Sequence, residues 1–331
     1  MPTVIRRRAA IMGLAASTLA AQVRRGWAQS VIPGSNSARI VVPFAAGGTA
    51  DVVARVVAQI LSEATSLPFA IEHRTGAGGD VSAEFVAKAA PDGRTLLLGH
   101  GGIAVTNQYV HKEIPYDSVE SFAPIALIGE VANVLVIHPA LPCRSLKELV
   151  DYCAAKGPGN VSYGSTGADS AGHLAMAYLQ SVAGIKLSPV VYQSRSHMTN
   201  DLLSGRLLIT MDNLPAYLRH IQSGALRAVA VSSARRWFAA PDIPTVAEQG
   251  YRGFDATLWW YVAAPAGTRL ELVRKFSAAI VSGIQSDAMA RRMREIGVQE
   301  LPGCLEDLVS HMAAENAKWR KIIVAPSLAS Q

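Results

Sequence analysis

Three glycine-rich loops are the parts of this 331-residue sequence whose residue types best suit ligand binding. They comprise residues 44–48 (FAAGG), 74–79 (RTGAGG) and 164–169 (GSTGAD), and each lies between a β-rich run and a helix-forming run. Glycine lets the backbone approach a ligand closely, and the first turn of a helix offers unpaired N–H groups and a positive dipole. Any one loop could be only a tight turn, but three together favour a cleft for a small anion.

Asp212 is an acidic candidate outside these loops. It follows the apolar run 207–211 and therefore ends a predicted strand. A carboxylate there could accept a hydrogen bond from a ligand amine or hydroxyl. Capping of a turn by Asp212 is an equal alternative.

The residue spacings that enzyme chemistry requires are missing. The run 46–51 (AGGTAD) lacks the G-x-G-x-x-G pattern of dinucleotide sites, and 76–81 (GAGGDV) breaks that pattern at Val81. There is no G-K-[ST] phosphate loop, the run around Ser165 (YGSTG) lacks the first glycine of G-x-S-x-G, and the eight histidines show no paired metal spacing. The sequence therefore predicts no catalytic residue, cofactor or metal. An exported cofactor-dependent oxidoreductase stays an alternative, because Glu72 ends the second predicted strand, where an acid can bind ribose.

Residues 1–28 have the pattern of an export signal peptide. Arg6, Arg7 and Arg8 precede an uncharged run over residues 9–21, which is too short to span a bilayer but typical of a signal sequence. Small residues at positions 26 and 28 predict cleavage after Ala28. The arginine run suggests the twin-arginine route; a plain secretory signal and an N-terminal structural helix are the alternatives. We expect the mature protein in the periplasm.

The charge balance argues against a nucleic-acid partner. The formal net charge is +6, but residues 1–28 contain five arginines and no acid, so the mature chain carries +1. A nearly neutral protein has a poor surface for following phosphates.

Strand and helix patterns alternate along the chain, which indicates an α/β fold. Apolar residues at helical spacing over 49–63 and 81–90 separate short β-rich runs at 39–43, 69–72 and 95–99. This βαβαβ order predicts a parallel sheet with helices on its faces. Further strands are predicted at 122–129 and 134–138, a second α/β set follows up to residue 231, a strand is predicted at 258–263, and residues 268–323 are expected to be mostly helical.

Several longer motifs resemble the Bug family, the periplasmic solute receptors of tripartite tricarboxylate transporters. They include RIVVPFAAGGTADVVAR, GAGGDVSAEFVAKAAPDGRTLLLG, YGSTGADSAGHLA and PDIPTVAEQGY, and the similarity runs from about residue 39 to 325. The resemblance implies a two-lobed type II periplasmic binding protein, or Venus flytrap, with a mainly parallel, helix-flanked sheet in each lobe. Lobe 1 would comprise residues 38–135 plus 258–331 and lobe 2 residues 136–257. A two-strand hinge would cross near 131–136 and 254–259.

The resemblance also implies where a ligand binds. In this family a carboxylate sits between the lobes, held largely by backbone groups and water. Where the family usually reads Tyr-Lys-Gly, this chain has Tyr192, Gln193 and Ser194, and the missing lysine favours a monocarboxylate or amide-bearing ligand. The candidate ligand-binding residues are Phe44, Gly47, Gly48 and Thr49, Gly101 and Gly102 after the third strand, Ser165, Thr166 and Ser170, and Asp212.

The function that the resemblance implies is that of a non-enzymatic, monomeric, extracytoplasmic receptor. It would bind a small carboxylate-bearing metabolite and deliver it to a large and a small integral membrane subunit of a tripartite tricarboxylate-type transporter. A receptor that delivers its ligand to a sensor kinase is an alternative, because the same closure could serve signalling.

Overall fold

The computed structural model describes residues 37–324, and the predicted signal peptide lies outside this range. Eleven strands and ten α-helices form two α/β halves over these residues. In chain order the elements are β1 Ala38–Val42, α1 Thr49–Thr65, β2 Phe69–His73, α2 Asp80–Ala87, β3 Thr95–His100, α3 Asn107–Val110, β4 Phe122–Val131, β5 Asn133–Ile137, α4 Leu146–Lys156, β6 Ser162–Ser165, α5 Ala171–Ala183, β7 Ser188–Val191, α6 Arg195–Leu203, β8 Ile209–Asn213, α7 Leu218–Gln222, β9 Arg227–Val231, β10 Leu258–Pro265, α8 Leu270–Ile284, α9 Asp287–Glu295, β11 Gln299–Gly303 and α10 Leu305–Ile323.

The first sheet contains the predicted βαβαβ unit. Its strand order is β11-β4-β10-β3-β1-β2, and β1 pairs in parallel with both β2 and β3. Ile40 lies in register with Ile71 on one side and Leu96 on the other. The apolar face of α1, with Val53, Val57 and others, is buried in the same hydrophobic cluster as Ile40 and Leu96. The prediction of a parallel unit here is therefore confirmed.

The second sheet has the order β7-β6-β8-β5-β9. β6 pairs in parallel with β7 and β8, whereas β5 is antiparallel to β8 and β9. In the first sheet, β10 is likewise antiparallel to β3 and β4. Both sheets are thus mixed, whereas the sequence predicted mainly parallel sheets. The chain enters the second half by β5 and returns to the first half by β10, and each of these strands is antiparallel to its neighbours.

The chain crosses between the two sheets twice. The first crossing is at Ala132, between β4 and β5, and the second lies within residues 232–257. The Asn133 amide donates from Nδ2 to the Ala256 carbonyl at 2.9 Å, and Ser232 Oγ donates to the same carbonyl at 2.8 Å. Residues 133–135, which were expected in lobe 1, pair within the second sheet. The remaining lobe boundaries stay a proposal.

The C-terminal helix α10 contacts the second crossing, within residues 232–257. Lys318 donates from Nζ to the Asp255 carbonyl at 3.0 Å and forms an ion pair with Glu315. The Trp319 ring contacts Tyr178 of α5, which stacks on Phe254 at 4.5 Å between ring centroids. α10 therefore touches both halves of the molecule.

No helix among residues 37–324 is both long and apolar enough to cross a membrane.

Candidate ligand-binding cleft

A cleft of about 530 Å³ lies between the two sheets and is lined from both halves. This volume is within the range of small-molecule sites. The first half contributes the loops after β1, β2 and β3, and the second half the loops after β6 and β7 and the carboxyl end of β8. The lining residues are Pro43, Phe44, Ala45, Gly76–Gly79, His100–Gly102, Thr106, Thr166, Asp169–Ala171, Leu174, Gln193–Arg195, Asp212, Asn213, Ala256–Trp259 and Trp319.

The loop after β2 comes close to the opposite half. Gly78 has φ +57°, and a Cβ built on it would lie 2.4 Å from Oδ2 of Asp169, which belongs to the loop after β6. Ala77 also has a positive φ, +45°, which is uncommon for a residue with a side chain. The absence of a side chain at Gly78 therefore permits the close approach of the two halves.

His100 forms a buried wall of the cleft. Its ring lies 5.1 Å from that of Phe44, and Nδ1 accepts a hydrogen bond from the Gly102 N–H at 3.0 Å. Burial lowers the pKa of His100 to about 4, against smaller opposing effects of Asp169, the Gly78 backbone and Asp80. The imidazole is thus neutral at pH 7 and supplies no positive charge to a ligand.

The loop after β6 is ordered by its own hydroxyl groups. Ser165 Oγ accepts from the Gly167 N–H at 3.1 Å and lies 3.0 Å from Nδ1 of His173. Ser170 caps α5, because its Oγ accepts from the His173 N–H at 3.3 Å. The capped amino end of α5 therefore opens at the cleft, with Ser170 and Ala171 among the lining residues.

An arginine–aspartate pair also belongs to the second-half lining. Arg195 donates from Nε to Asp212 Oδ2 at 2.6 Å and from Nη2 to Oδ1 at 3.0 Å. Burial is the largest single effect on the pKa of Arg195 and lowers it. The charge and the hydrogen bonds of the Asp212 carboxylate act against burial, and the net result is a raised pKa of Arg195. Arg195 is the only lysine or arginine among the described lining residues.

A second contact joins the halves directly. Asp80 of α2 lies 2.6 Å from Nδ1 of His111, and Nε2 of the same ring lies 3.7 Å from Asp169 Oδ2. Asn107 and Tyr116 also donate to Asp80, at 2.7 and 2.8 Å. His111 therefore stands between one carboxylate of its own half and one from the facing half.

The structure brings six of the ten predicted ligand-binding residues to this cleft: Phe44, Gly101, Gly102, Thr166, Ser170 and Asp212. Gly47, Gly48, Thr49 and Ser165 are not among the lining residues.

Gly47 and Gly48 of the first loop do not line the cleft, and the N–H group of Gly47 already has a partner within the chain. The Gly47 N–H donates to Asp51 Oδ2 at 3.0 Å, so the helix's own acid takes the donor that we had expected to be offered to an anion. Asp51 is further paired with Arg55 and His73, at 3.2 Å each. An acid in the first turn of α1 was visible in the sequence and could have signalled this.

Sequence reasoning missed several lining residues. Asp169, Arg195, Trp259 and Trp319 were not among the candidates. The 74–79 loop was expected to contribute to an anion cleft, but none of its residues was named as a candidate. Arg195 directly follows Ser194, whose Oγ accepts from the His197 N–H at 3.3 Å and caps α6. A serine preceding a helical run was the available signal for Arg195.

A family model described as the tripartite tricarboxylate transporter family receptor, TctC, matches residues 53–328. The chain belongs to this family. Its members are solute-binding receptors of the periplasmic binding-protein type, not enzymes. BugT of Bordetella pertussis is 33% identical over 286 residues, which cover 86% of this chain and 87% of BugT.

Solved structures of TctC-like proteins have the same fold. The structure of R. palustris Rpa4515 with adipate is 35% identical, has a TM-score of 0.78, and covers 87% of this chain and 96% of its own. MatC from Rhodopseudomonas palustris with bound malate is 26% identical, has a TM-score of 0.75, and covers 87% of this chain and 98% of its own. The two-lobed α/β binding-protein fold and the Bug-type resemblance are confirmed.

Proposed function

We propose that this TctC-family protein is an extracytoplasmic receptor that binds a small carboxylate-bearing metabolite in the cleft between its lobes. The observation that carries the proposal is the cleft itself, where loops of both sheets meet. The amino ends of α5 and α6 are among the lining elements, and Arg195 adds a cation. Backbone N–H groups at helix starts and a guanidinium both bind carboxylates. The adipate and malate complexes of similar receptors support the same ligand chemistry.

Closure of the two lobes would accompany binding. A ligand shifts a conformational equilibrium only by its differential affinity for the two states. A carboxylate that touches both the Thr166–Ser170 side and the Gly101–Gly102 side of the cleft has more partners when the lobes are together. The two crossings near Ala132 and residues 254–259 would serve as the hinge.

The test begins with protein that has been unfolded, stripped of retained solutes and refolded. Calorimetric titration with linear mono- and dicarboxylates is compared with titration of the corresponding alcohols and amides. We expect at least one carboxylate to bind and its uncharged analogues not to bind. Small-angle scattering at saturation should show a smaller radius of gyration. Binding of none of the carboxylates would contradict the proposed ligand class, and binding without compaction would contradict closure.

The closed, ligand-bound form would then deliver its ligand to a large and a small integral membrane subunit. We further propose that residues 1–28 direct export, by the twin-arginine or the secretory route, and that the mature protein works as a periplasmic monomer. Intact-mass analysis of the exported protein should give a chain beginning at Gln29. Loss of solute uptake when either membrane subunit is deleted, with the receptor still present, would distinguish delivery to a transporter from delivery to a sensor kinase.

A further inference from the structure

Arg195 has an unused carboxylate-binding edge in the cleft. A guanidinium has five N–H donors arranged in a planar fork. Two of them, on Nε and Nη2, are donated to Asp212 at 2.6 and 3.0 Å. Within residues 37–324, Arg195 makes no other side-chain hydrogen bond, and 45% of its side chain is exposed. The edge formed by Nη1 and the second Nη2 hydrogen thus remains available for a bidentate pair with another carboxylate.

Asp212 is committed to holding this arginine. Its Oδ1 also accepts from the Asn213 N–H at 2.8 Å, and its Oδ2 from the Tyr217 hydroxyl at 3.3 Å. The residue is only 4% exposed. Asp212, which the sequence predicted as a ligand-binding residue, is therefore better placed to orient the Arg195 guanidinium than to contact a ligand.

No other described lining side chain can replace Arg195 as a permanent cation. His100 is neutral because burial lowers its pKa to about 4. Asp169 also lines the cleft but is an acid, not a cation. It lies against Gly78, with its Oδ2 3.7 Å from His111 Nε2. The backbone donors of the glycine-rich loops and helix starts suit one carboxylate, whereas Arg195 offers a separate charged site on lobe 2.

We propose that Arg195, positioned by Asp212, binds a second carboxylate of the ligand, so that the receptor selects dicarboxylates over their monoamides. The proposal rests on the proposed function, since it concerns the same cleft. It reverses the expectation drawn from Gln193 and Ser194, where the missing lysine favoured a monocarboxylate or amide. Arg195 supplies the cation in place of that lysine, two residues further along the chain from Gln193.

The test measures selectivity, not affinity alone. Calorimetry compares succinate, glutarate, adipate and pimelate with the monoamide of each, using the stripped wild-type protein and the double variant Arg195→Gln/Asp212→Asn. The double variant removes both charges, so that Asp212 is not left buried without its partner. We expect the wild type to prefer the best dicarboxylate over its monoamide by tenfold or more, and the double variant to show a ratio near one.

A matched control pair lies at the carboxyl end of the same helix. Arg206 pairs with Asp201 of α6 through Nε at 2.9 Å, and neither residue lines the cleft. The double variant Arg206→Gln/Asp201→Asn should keep the wild-type selectivity. The single variant Asp212→Asn tests positioning: the selectivity ratio should fall even where the melting temperature is retained, because Arg195 keeps its charge but loses its orientation. Arg195→Lys should give an intermediate ratio, since the charge remains and the planar fork is lost.

The outcomes separate the inference from the proposed function. If the dicarboxylates bind and the Arg195→Gln/Asp212→Asn protein keeps the full preference for them, the role of Arg195 is refuted while the receptor function stands. If the wild type instead prefers the monoamides, the role of Arg195 is likewise refuted while the receptor function stands. If the wild type binds no carboxylate of either set, the proposed function fails, and the inference fails with it.

Discussion

Acidification should destabilise this protein through His100, a histidine buried in the wall of the cleft. The ring is only 6% exposed, and burial lowers its pKa from 6.5 to about 4. Between these two values the unfolded chain binds a proton that the folded chain does not. The free energy of unfolding contributed by this group is therefore complete above pH 6.5 and is lost as the pH falls toward 4.

The size of the effect follows from the same two values. At 1.36 kcal/mol for each pH unit, the difference between 6.5 and about 4 corresponds to roughly 3 kcal/mol. That is a substantial share of the ~5–15 kcal/mol that stabilises a typical domain. Two partly buried carboxyl groups, Glu130 and Asp255, act in the opposite direction, because burial raises the pKa of each. The comparison must therefore be between the wild type and a variant, not between two pH values alone.

The variant is His100→Asn, whose side-chain oxygen can still accept from the Gly102 N–H. Removal of the ring costs stability at every pH, but that cost does not depend on protonation. Urea unfolding between pH 7 and pH 4 should show the wild type losing about 3 kcal/mol more than the variant over this range. His197→Asn, at an exposed position, controls for the loss of an imidazole. Parallel pH profiles for the wild type and His100→Asn would refute the reasoning.

Two further predictions concern contacts around the cleft. Gly78→Ala should lose about 1 kcal/mol of stability through its positive φ and should also weaken ligand binding tenfold or more, because the new Cβ would lie 2.4 Å from Asp169 Oδ2. Gly184→Ala has a similar φ, +64°, with no atom within 4 Å of its Cβ, so calorimetry should show unchanged affinity; an equal loss of affinity in both variants would contradict the steric argument. Lys318→Met should lower stability by about 3 kcal/mol at pH 7, because the Glu315 carboxylate is left without its cation. The loss should shrink as the pH falls to 4, because burial raises the pKa of Asp255 and of Glu130 while Lys318 opposes that rise, so that without Lys318 both carboxyl groups take up protons more readily in the folded protein. Thermal unfolding at the two pH values measures this, and a loss independent of pH would argue for packing instead.

The local elements of the fold could be read from the sequence because their signals lie close together in the chain. The helical spacing of Val53, Val57 and their neighbours placed α1, and the structure buries that face. A serine three residues before a glutamate is a helix-start signal in the sequence, and the Ser145 side chain does accept from the Glu148 N–H at 3.2 Å at the start of α4. By contrast, β11 lies within a region predicted as mostly helical, since its edge pairing with β4 involves partners far away in sequence.

The binding cleft could be read only in part. The sequence identified loops with the right composition, but composition does not say which helix start is already satisfied by its own side chain. The Gly47 N–H already donates to the Asp51 carboxylate, and the first loop lines the cleft with Phe44 and Ala45, not with its glycines. The 74–79 loop has similar glycine content, yet it lies at the cleft and touches Asp169 from the other lobe.

The sequence by itself determined the α/β alternation, the family and the loops that follow the strands, because these depend on short-range periodicity and on motifs that are continuous in the chain. The tertiary structure alone decided which of those loops face one another. Arg195 and Asp212 are 17 residues apart and meet only because β7 and β8 flank β6 in the second sheet. Gly78 and Asp169 meet only because the chain crosses at Ala132 and folds the second sheet opposite the first. Such contacts depend on long-range strand pairing and on the hinge, and no local residue spacing encodes them.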